Sequence, residues 1–298
     1  MLPRPRVALA TCCAQPNLYE EEQRLIPMLA DHGVDARAAV WDDPSVDWTR
    51  FDVVFLRSVW DYFEKYPAFR RWIAGLAQAE VAVQNPVSLV EWNADKAYLR
   101  ELAARGVRIP PTVFLEAREP IALAALVAER GWQRVVVKPA VSAGAWRTAL
   151  LTSDELASYQ PEFERVLAHG DVLVQPFLPE IQGEGEWSFL FFGGVFSHAI
   201  LKKPPAGDYR VQPQFGGTAE RVPSDAVRTL VDEASSVLAA LPELPAYARI
   251  DGVRIDGRFV LMEAELIEPY LFFGVAPETM ETFVALVAHK AQDAASMR

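Results

Sequence analysis

The chain is poor in thiols, with two cysteines at the adjacent positions Cys12 and Cys13. Neighbouring residues rarely reach disulfide geometry without backbone strain, so no disulfide framework is available. Histidine is nearly as scarce: His32, His169, His198 and His289 are scattered, and neither a His-Glu-x-x-His nor a paired-cysteine spacing exists to hold zinc. The Gly-x-Ser-x-Gly elbow, the Gly-x-Gly-x-x-Gly turn and the Gly-x-x-x-x-Gly-Lys-Ser/Thr loop are missing too, which disfavours a serine hydrolase, a dinucleotide fold and a P-loop. No apolar window approaches the ~20 residues that span a bilayer. The basic start Met1-Leu2-Pro3-Arg4-Pro5-Arg6 precedes an apolar stretch too short for a signal-peptide core, so a cytoplasmic protein without a membrane partner is expected. With 29 Lys and Arg against 40 Asp and Glu, a net charge of −11 and no basic run, a nucleic-acid partner is not expected either, because phosphate backbones require clustered cations.

What is present is enough apolar sequence for large cores, 51% of 298 residues, and length for two domains or three small ones. The pattern opens as β/α: strands over 7–11, 34–41, 52–57 and 81–83 and a helix over 66–77 predict a small parallel sheet. Asn17 with Glu20 reads as a capping box for a helix through Leu25, Ile26 and Leu29, interrupted by Pro27 and closed by Gly33. Asn85-Pro86 breaks this alternation, and a helix over 93–105, ended by Gly106, bridges to an α+β unit with strands over 112–115, 134–138 and 171–175. Strands over 187–192, 195–201, 246–251 and 258–266 follow, with helices over 224–241 and 278–295.

Three constellations carry chemistry. In Val135-Val136-Val137-Lys138-Pro139 a cation ends an apolar strand and is followed by Ser142-Ala143-Gly144-Ala145. Such a lysine either snorkels to water or meets an anion, and a loop of small residues offers the free N–H groups that cradle phosphate. In Met262-Glu263-Ala264-Glu265 strand alternation puts both carboxylates on one face; magnesium is a natural countercharge, and pairing with Arg249 or exposure to water is the alternative. Arg249 and Asp251 share the same i, i+2 spacing in Tyr247-Ala248-Arg249-Ile250-Asp251. The third constellation is Arg210 beside Gly216-Gly217, a loop cation suited to carboxylate or phosphate.

In this order, with Asn85-Pro86, Asn93-Ala94-Asp95-Lys96, Val174-Gln175-Pro176-Phe177-Leu178-Pro179-Glu180, Gly185-Glu186-Trp187-Ser188 and Ser197 to Lys202, these residues resemble the ATP-grasp superfamily, in its glutathione-synthetase-like branch of carboxylate ligases. The resemblance implies an ATP-grasp fold of mixed α/β and α+β character, with an N-terminal substrate-binding domain over 1–92, a linker helix and central lid over 93–177, and a C-terminal domain with mixed or antiparallel sheet and the metal site over 178–298. It implies ATP held by Lys96, Lys138, Ser142, Gly144 and Lys202, adenine on the Gln175, Phe177 and Leu178 backbone, and ribose on Glu180 or Glu186. Asp251, Glu263 and Glu265 would hold Mg2+, or Mn2+ in its place; Arg210, Arg249 and Lys138 would steady the transferring phosphate. Glu265 stands where the family often has Asn, and Ser188 where glutathione synthetases have Arg, which puts glutathione chemistry in doubt.

A narrower set, Trp41-Asp42-Asp43-Pro44, Arg57-Ser58-Val59-Trp60-Asp61-Tyr62 and Glu263 to Pro269, is similar to ATP-grasp cyclo-ligases that close O-ureido-D-serine to D-cycloserine, an antibiotic. Here Arg57, Ser58, Trp60, Asp61 and Tyr62 (with Arg210) form a plausible pocket for a small amino-acid-like substrate, with a cation for carboxylate, an acid for ammonium and aromatic walls. The alternative is interface packing of Trp60 and Tyr62 with Arg57 paired to Asp61. The resemblance implies an ADP-forming ligase, a homodimer being compatible with it, in which an acyl phosphate is captured by an amine of the same or a second molecule. A nucleotide-binding regulator without turnover is the rival reading.

Overall fold

A computed structural model describes residues 4–297; Met1, Leu2 and Pro3 of the basic N-terminal stretch and Arg298 lie outside them. The first sheet consists of β1 (Arg6–Thr11), β2 (Asp35–Val40), β3 (Val53–Ser58) and β4 (Ala82–Gln84), in the order β2-β1-β3-β4 and parallel throughout. Strand β3 is buried along its whole length, as expected of an inner strand in a covered parallel sheet. The first helix departs from expectation. Its N-terminal turn is a 3-10 segment, Glu20–Arg24, preceded by Tyr19 with no side-chain cap, so Asn17 does not cap it. The α-helix α1 (Leu25–Asp31) then carries Pro27 at its third position, where the missing N–H has no intrahelical acceptor to lose. Gly33, at φ +78°, turns the chain into β2. Helix α2 (Tyr66–Gln78) completes this part.

The bridging helix expected over 93–105 is shorter, α4 (Tyr98–Ala104), and a helix the sequence reading lacks, α3 (Val87–Asn93), precedes it. Between them the Asp95 carboxylate accepts from the Ala97 N–H at 2.8 Å and the Lys96 N–H donates to the Ala140 carbonyl at 2.9 Å. The break places Lys96 against the loop after the second sheet's central strand. That sheet is antiparallel, β5-β8-β6-β7, from β5 (Val113–Leu115), β6 (Arg134–Pro139), β7 (Ala149–Thr152) and β8 (Val172–Pro176), with α5 (Leu123–Glu129) and α6 (Leu156–His169) packed in its own core. The third sheet is also antiparallel, β11-β10-β9-β12-β13, from β9 (Glu186–Phe192), β10 (Val195–Lys203), β11 (Thr218–Val222), β12 (Tyr247–Ile255) and β13 (Arg258–Glu265). Helices α7 (Glu180–Gly183), α8 (Arg228–Ala239) and α9 (Met280–Ser296) accompany it. Among these, β7, α7 and β11 have no counterpart in the sequence reading. All three are short, and β11 is a largely polar edge strand.

Helix α9 joins chain ends. Its Phe283, Val284, Val287 and Ala291 share one core with Val7, Leu9, Leu25 and Phe55 of the first part and Leu190 and Phe192 of the third sheet. Among the described residues no helix is long and apolar enough to cross a membrane.

Asn85, fully buried after β4, locks the first and third sheets together. Its Nδ2 donates to the carbonyls of Tyr247 at 2.8 Å and Leu266 at 2.6 Å, and its Oδ1 accepts from the N–H groups of Ala246 at 2.6 Å and Tyr247 at 3.3 Å. Asn85→Ala leaves these backbone groups without partners, at about 1–3 kcal/mol for each buried group that water cannot reach. The expected loss is at least about 3 kcal/mol in denaturant unfolding; a loss below about 1 kcal/mol would contradict the arrangement.

Candidate active site

The second and third sheets, with loops from the first part, enclose a cavity of about 850 Å³. Strand register determines which charges line it. Across β12 and β13, Arg249 pairs with Glu265 and Asp251 with Glu263; across β9, Asp251 pairs with Ser188, and Glu186 pairs with Lys202 of β10. One face of the sheet therefore carries alternating acids and bases within cross-strand reach. Lys202 Nζ lies 2.5 Å from Glu186 Oε1 and 3.2 Å from Asp251 Oδ2. Arg249 Nε donates to both Asp251 oxygens at 3.0 Å, its Nη2 to Glu265, and its Nη1 to the Tyr270 carbonyl at 3.1 Å. Burial alone would raise Asp251; Arg249 and Lys202 outweigh it and bring the carboxyl down to about 2. Glu265 goes the other way. Burial, reinforced by Asp251 and Glu263, exceeds the pull of Arg249 and raises it to about 7.

Facing this wall are the two lysines. Lys96 donates to the Ser142 carbonyl and sits 3.1 Å from Glu263. Lys138, at the end of β6, makes no ion pair or side-chain hydrogen bond among the described residues, and burial, with the charge of nearby Lys96, lowers its ammonium to about 8 against the pull of Glu263 and Glu186. Beside it the loop 142–145 turns through Gly144 and Ala145, both at positive φ. The Ser142 hydroxyl donates to the Pro139 carbonyl at 2.9 Å, while the N–H groups of residues 142–145 have no acceptor among the described residues. A cation without a counterion next to free N–H groups is a site for an anion.

Of the residues read from the sequence, Lys96, Lys138, Ser142, Gly144, Gln175, Phe177, Leu178, Glu186, Lys202, Arg210, Arg249, Asp251, Glu263, Glu265 and Trp60 line this one cavity. Arg210 is clamped to Asp208 at 2.7 Å and covers the Phe215 ring at 3.9 Å. Of the two ribose candidates only Glu186 lines the cavity; Glu180, on α7, does not. In the Gln175 to Leu178 segment the Phe177 N–H donates to the Arg134 carbonyl at 2.9 Å, whereas the Leu178 N–H has no acceptor among the described residues.

The pocket expected from Arg57 to Tyr62 is corrected. Arg57 is fully buried, 2.5 Å from Glu22, and also donates to the Pro269 carbonyl at 3.0 Å. Its guanidinium lies over the rings of Tyr247 and Phe283. It pairs with Glu22 rather than Asp61 because β3 is covered on both faces and the 3-10 turn supplies the countercharge. Ser58 lies beside Glu22 at 3.5 Å. Asp61 accepts from the Trp41 indole and from Lys65, each at 2.7 Å, and Tyr62 packs against Phe69 in the core of the first sheet. Only Trp60 reaches the cavity. Conversely, Tyr19, Glu268, Tyr270 and Phe272 line the cavity without being read as site residues; they lie in loops, where no periodicity marks the inward face.

The expected three-carboxylate cation site is also revised. Both Asp251 oxygens are engaged by Arg249, Lys202 and Ser188. Among the described residues no group of three His, Cys, Asp or Glu side chains converges to hold a metal. Glu263 and Glu265 still present the hard oxygen donors that suit Mg2+ sharing its coordination with substrate phosphates.

Residues 7–85 match the family model of the D-cycloserine synthetase DcsG N-terminal domain. The chain is 33% identical over 259 residues to the cycloserine biosynthesis protein DcsG of Streptomyces lavendulae, an alignment covering 80% of this chain and 83% of that protein. The chain belongs to the DcsG family of ATP-grasp ligases. The crystal structure of D-cycloserine synthetase DcsG superimposes on this DcsG-family chain with a TM-score of 0.85 at 29% identity, over 96% of this chain and 99% of the other. A D-alanine–D-alanine ligase from Bacillus anthracis shares the fold at a TM-score of 0.68 and 16% identity, over 97% of each chain, and the ATP-grasp ligase PsnB with a minimal precursor does so at 0.64 and 18%, over 96% of this chain and all of PsnB. This DcsG-family protein is an ATP-dependent ligase, and the mixed fold expected from its sequence is the one observed.

Proposed function

We propose that the enzyme phosphorylates the carboxylate of a small amino-acid-like substrate and closes it into a ring, as O-ureido-D-serine closes to D-cycloserine. The observation that carries this reading is Lys138, an unpaired cation among the described residues that lines the same cavity as Glu263 and Glu265. In the first step a substrate carboxylate oxygen attacks the γ-phosphorus of ATP and ADP leaves. In the second, the oxygen-bound nitrogen of the same molecule attacks the acyl carbon, the acyl C–O bond breaks, and phosphate departs as that nitrogen loses its proton; for O-ureido-serine, water then cleaves the bond from this nitrogen to the carbamoyl carbon, and the carbamoyl group leaves as carbamate, which breaks down to CO2 and NH3. Catalysis of this kind is positioning and charge neutralisation, with no side-chain nucleophile required. Lys96, Lys138 and the free N–H groups of 142–145 hold the phosphates, Glu186 the ribose, and the Leu178 N–H the adenine edge. Arg249, with Arg210 nearby, holds the acyl phosphate oxygens. Glu263 and Glu265 would hold a Mg2+ ion, or Mn2+ in its place, which would supply further charge neutralisation. Trp146 of the lid loop lies against Phe63, with ring centroids 5.5 Å apart, which shields the acyl phosphate from water.

The test is ADP release with ATP and magnesium across small amino acids and analogues, O-ureido-serine of both hands included, alone and in pairs. A single compound that supports turnover, with a product mass lower than the substrate by the elements of water and, for O-ureido-serine, of the carbamoyl group as well, is the expected result. Turnover only with pairs replaces cyclisation by intermolecular amide formation. Silence across the panel with ATP still bound removes the catalytic reading of this substrate class.

A further inference from the structure

Three residues beyond Glu265, Glu268 is 8% exposed and its carboxylate has no hydrogen-bond or ion-pair partner among the described residues, yet it lines the cavity. Burial, reinforced by Glu265 and Glu263, raises this carboxyl to about 8 against the pull of Lys96 and Arg249. Aromatic rings line the same cavity. Tyr19 lies 5.3 Å from Trp60 and 5.5 Å from Tyr270 between ring centroids, and Tyr270 lies 4.6 Å from Phe272.

The backbone under this group is held at three consecutive carbonyls. The Trp60 indole N–H donates to the Glu268 carbonyl at 3.1 Å, Arg57 to the Pro269 carbonyl at 3.0 Å and Arg249 to the Tyr270 carbonyl at 3.1 Å. An acid that stability alone would disfavour is thus fixed in place, facing open space. Aromatic faces and an uncommitted carboxyl are the chemistry that recognises an ammonium group.

We propose that Glu268, walled by Tyr19, Trp60 and Tyr270, binds the free α-ammonium of the substrate, restricting the enzyme to unacylated amino acids and excluding N-acylated or peptide carboxylates. This rests on the ligase reading for the identity of the substrate but not for the binding itself. The experiment therefore reads binding before turnover. O-ureido-serine, serine and alanine of both hands, and their N-acetyl forms, are titrated by calorimetry into wild type and E268Q in the presence of a non-hydrolysable ATP analogue; E268D serves as the conservative variant.

In wild type, at least one free amino acid is expected to bind saturably, and its N-acetyl form at least 30-fold more weakly. E268Q weakens the free form at least 30-fold and abolishes the discrimination, E268D restores part of it, and affinity for the ATP analogue is unchanged in both. Equal binding of free and acetylated forms by wild type, retention of the discrimination by E268Q, or no saturable binding of any free amino acid overturns the inference. Glu268-dependent binding without ADP release would instead overturn the ligase reading for these compounds and leave the ammonium site standing.

Discussion

Lys138→Met is expected to lower kcat/KM for ATP by roughly 10³-fold, about 4 kcal/mol, the scale on which removal of one preorganised electrostatic partner acts. The argument is local. No carboxylate lies within ion-pair distance of Lys138, so its charge is uncompensated until a phosphate enters. Its ammonium, lowered to about 8 by burial and by Lys96, must be charged to bind phosphate. Above that pH binding takes up a proton, so the wild-type Kd for ATP should be flat well below pH 8 and rise toward tenfold per unit above it. Lys138→Met should lack this dependence.

The same substitution should raise stability. A lysine whose folded-state pKa lies below its unfolded value penalises the fold throughout the range below about pH 8, and that penalty fades as pH rises from 8 toward the ordinary lysine value. At pH 7 the methionine variant should melt higher than wild type while losing ATP turnover, as functional charges in other sites do. Less than a tenfold loss in kcat/KM, or a lower melting temperature, would show that Lys138 is an ordinary solvated strand end.

The second large effect is on folding. Arg57→Met should cost about 3–5 kcal/mol, because it strands the Glu22 carboxylate in a site where neither partner is more than 2% exposed. Glu22→Gln combined with Arg57→Met should recover at least half of that loss, since what destabilises is the uncompensated charge more than the missing attraction. Chemical unfolding of wild type, both single variants and the double variant measures this. Should Arg57→Met keep wild-type stability while raising KM for the amino acid a hundredfold, Arg57 would be a substrate contact after all and its buried placement would be wrong.

The contrast between Lys138 and Arg57 shows how far the sequence could be read. Both are cations at the end of an apolar strand, Val-Val-Val-Lys and Phe-Leu-Arg, and both read as ligand-facing. For Lys138 the following Ser142 to Ala145 loop supplied a second, local signal, and the structure brings both to the same cavity. For Arg57 the deciding partner is Glu22, 35 residues upstream in a 3-10 turn that Asn17 does not cap. The Glu263 and Glu265 pair was legible because alternation in a strand is a covalent property of the chain. Glu268, three residues beyond the strand, has no such periodicity to announce where it points.

By itself, then, the sequence determined the succession of three sheets, the family, and the charged residues of the strands that line the cavity, because local propensity, alternation and motif order are properties of short stretches. Only tertiary structure decided that Glu186 rather than Glu180 reaches the cavity, that Asp251 is committed to Arg249 and Lys202, that helix α9 closes back on the first sheet, and that Arg57 holds the Pro269 carbonyl while Glu268 faces the open space. Each of those outcomes depends on which distant charge or apolar face arrives to satisfy a buried group. Desolvation makes such pairing obligatory, while short-range patterns in the chain do not identify the partner.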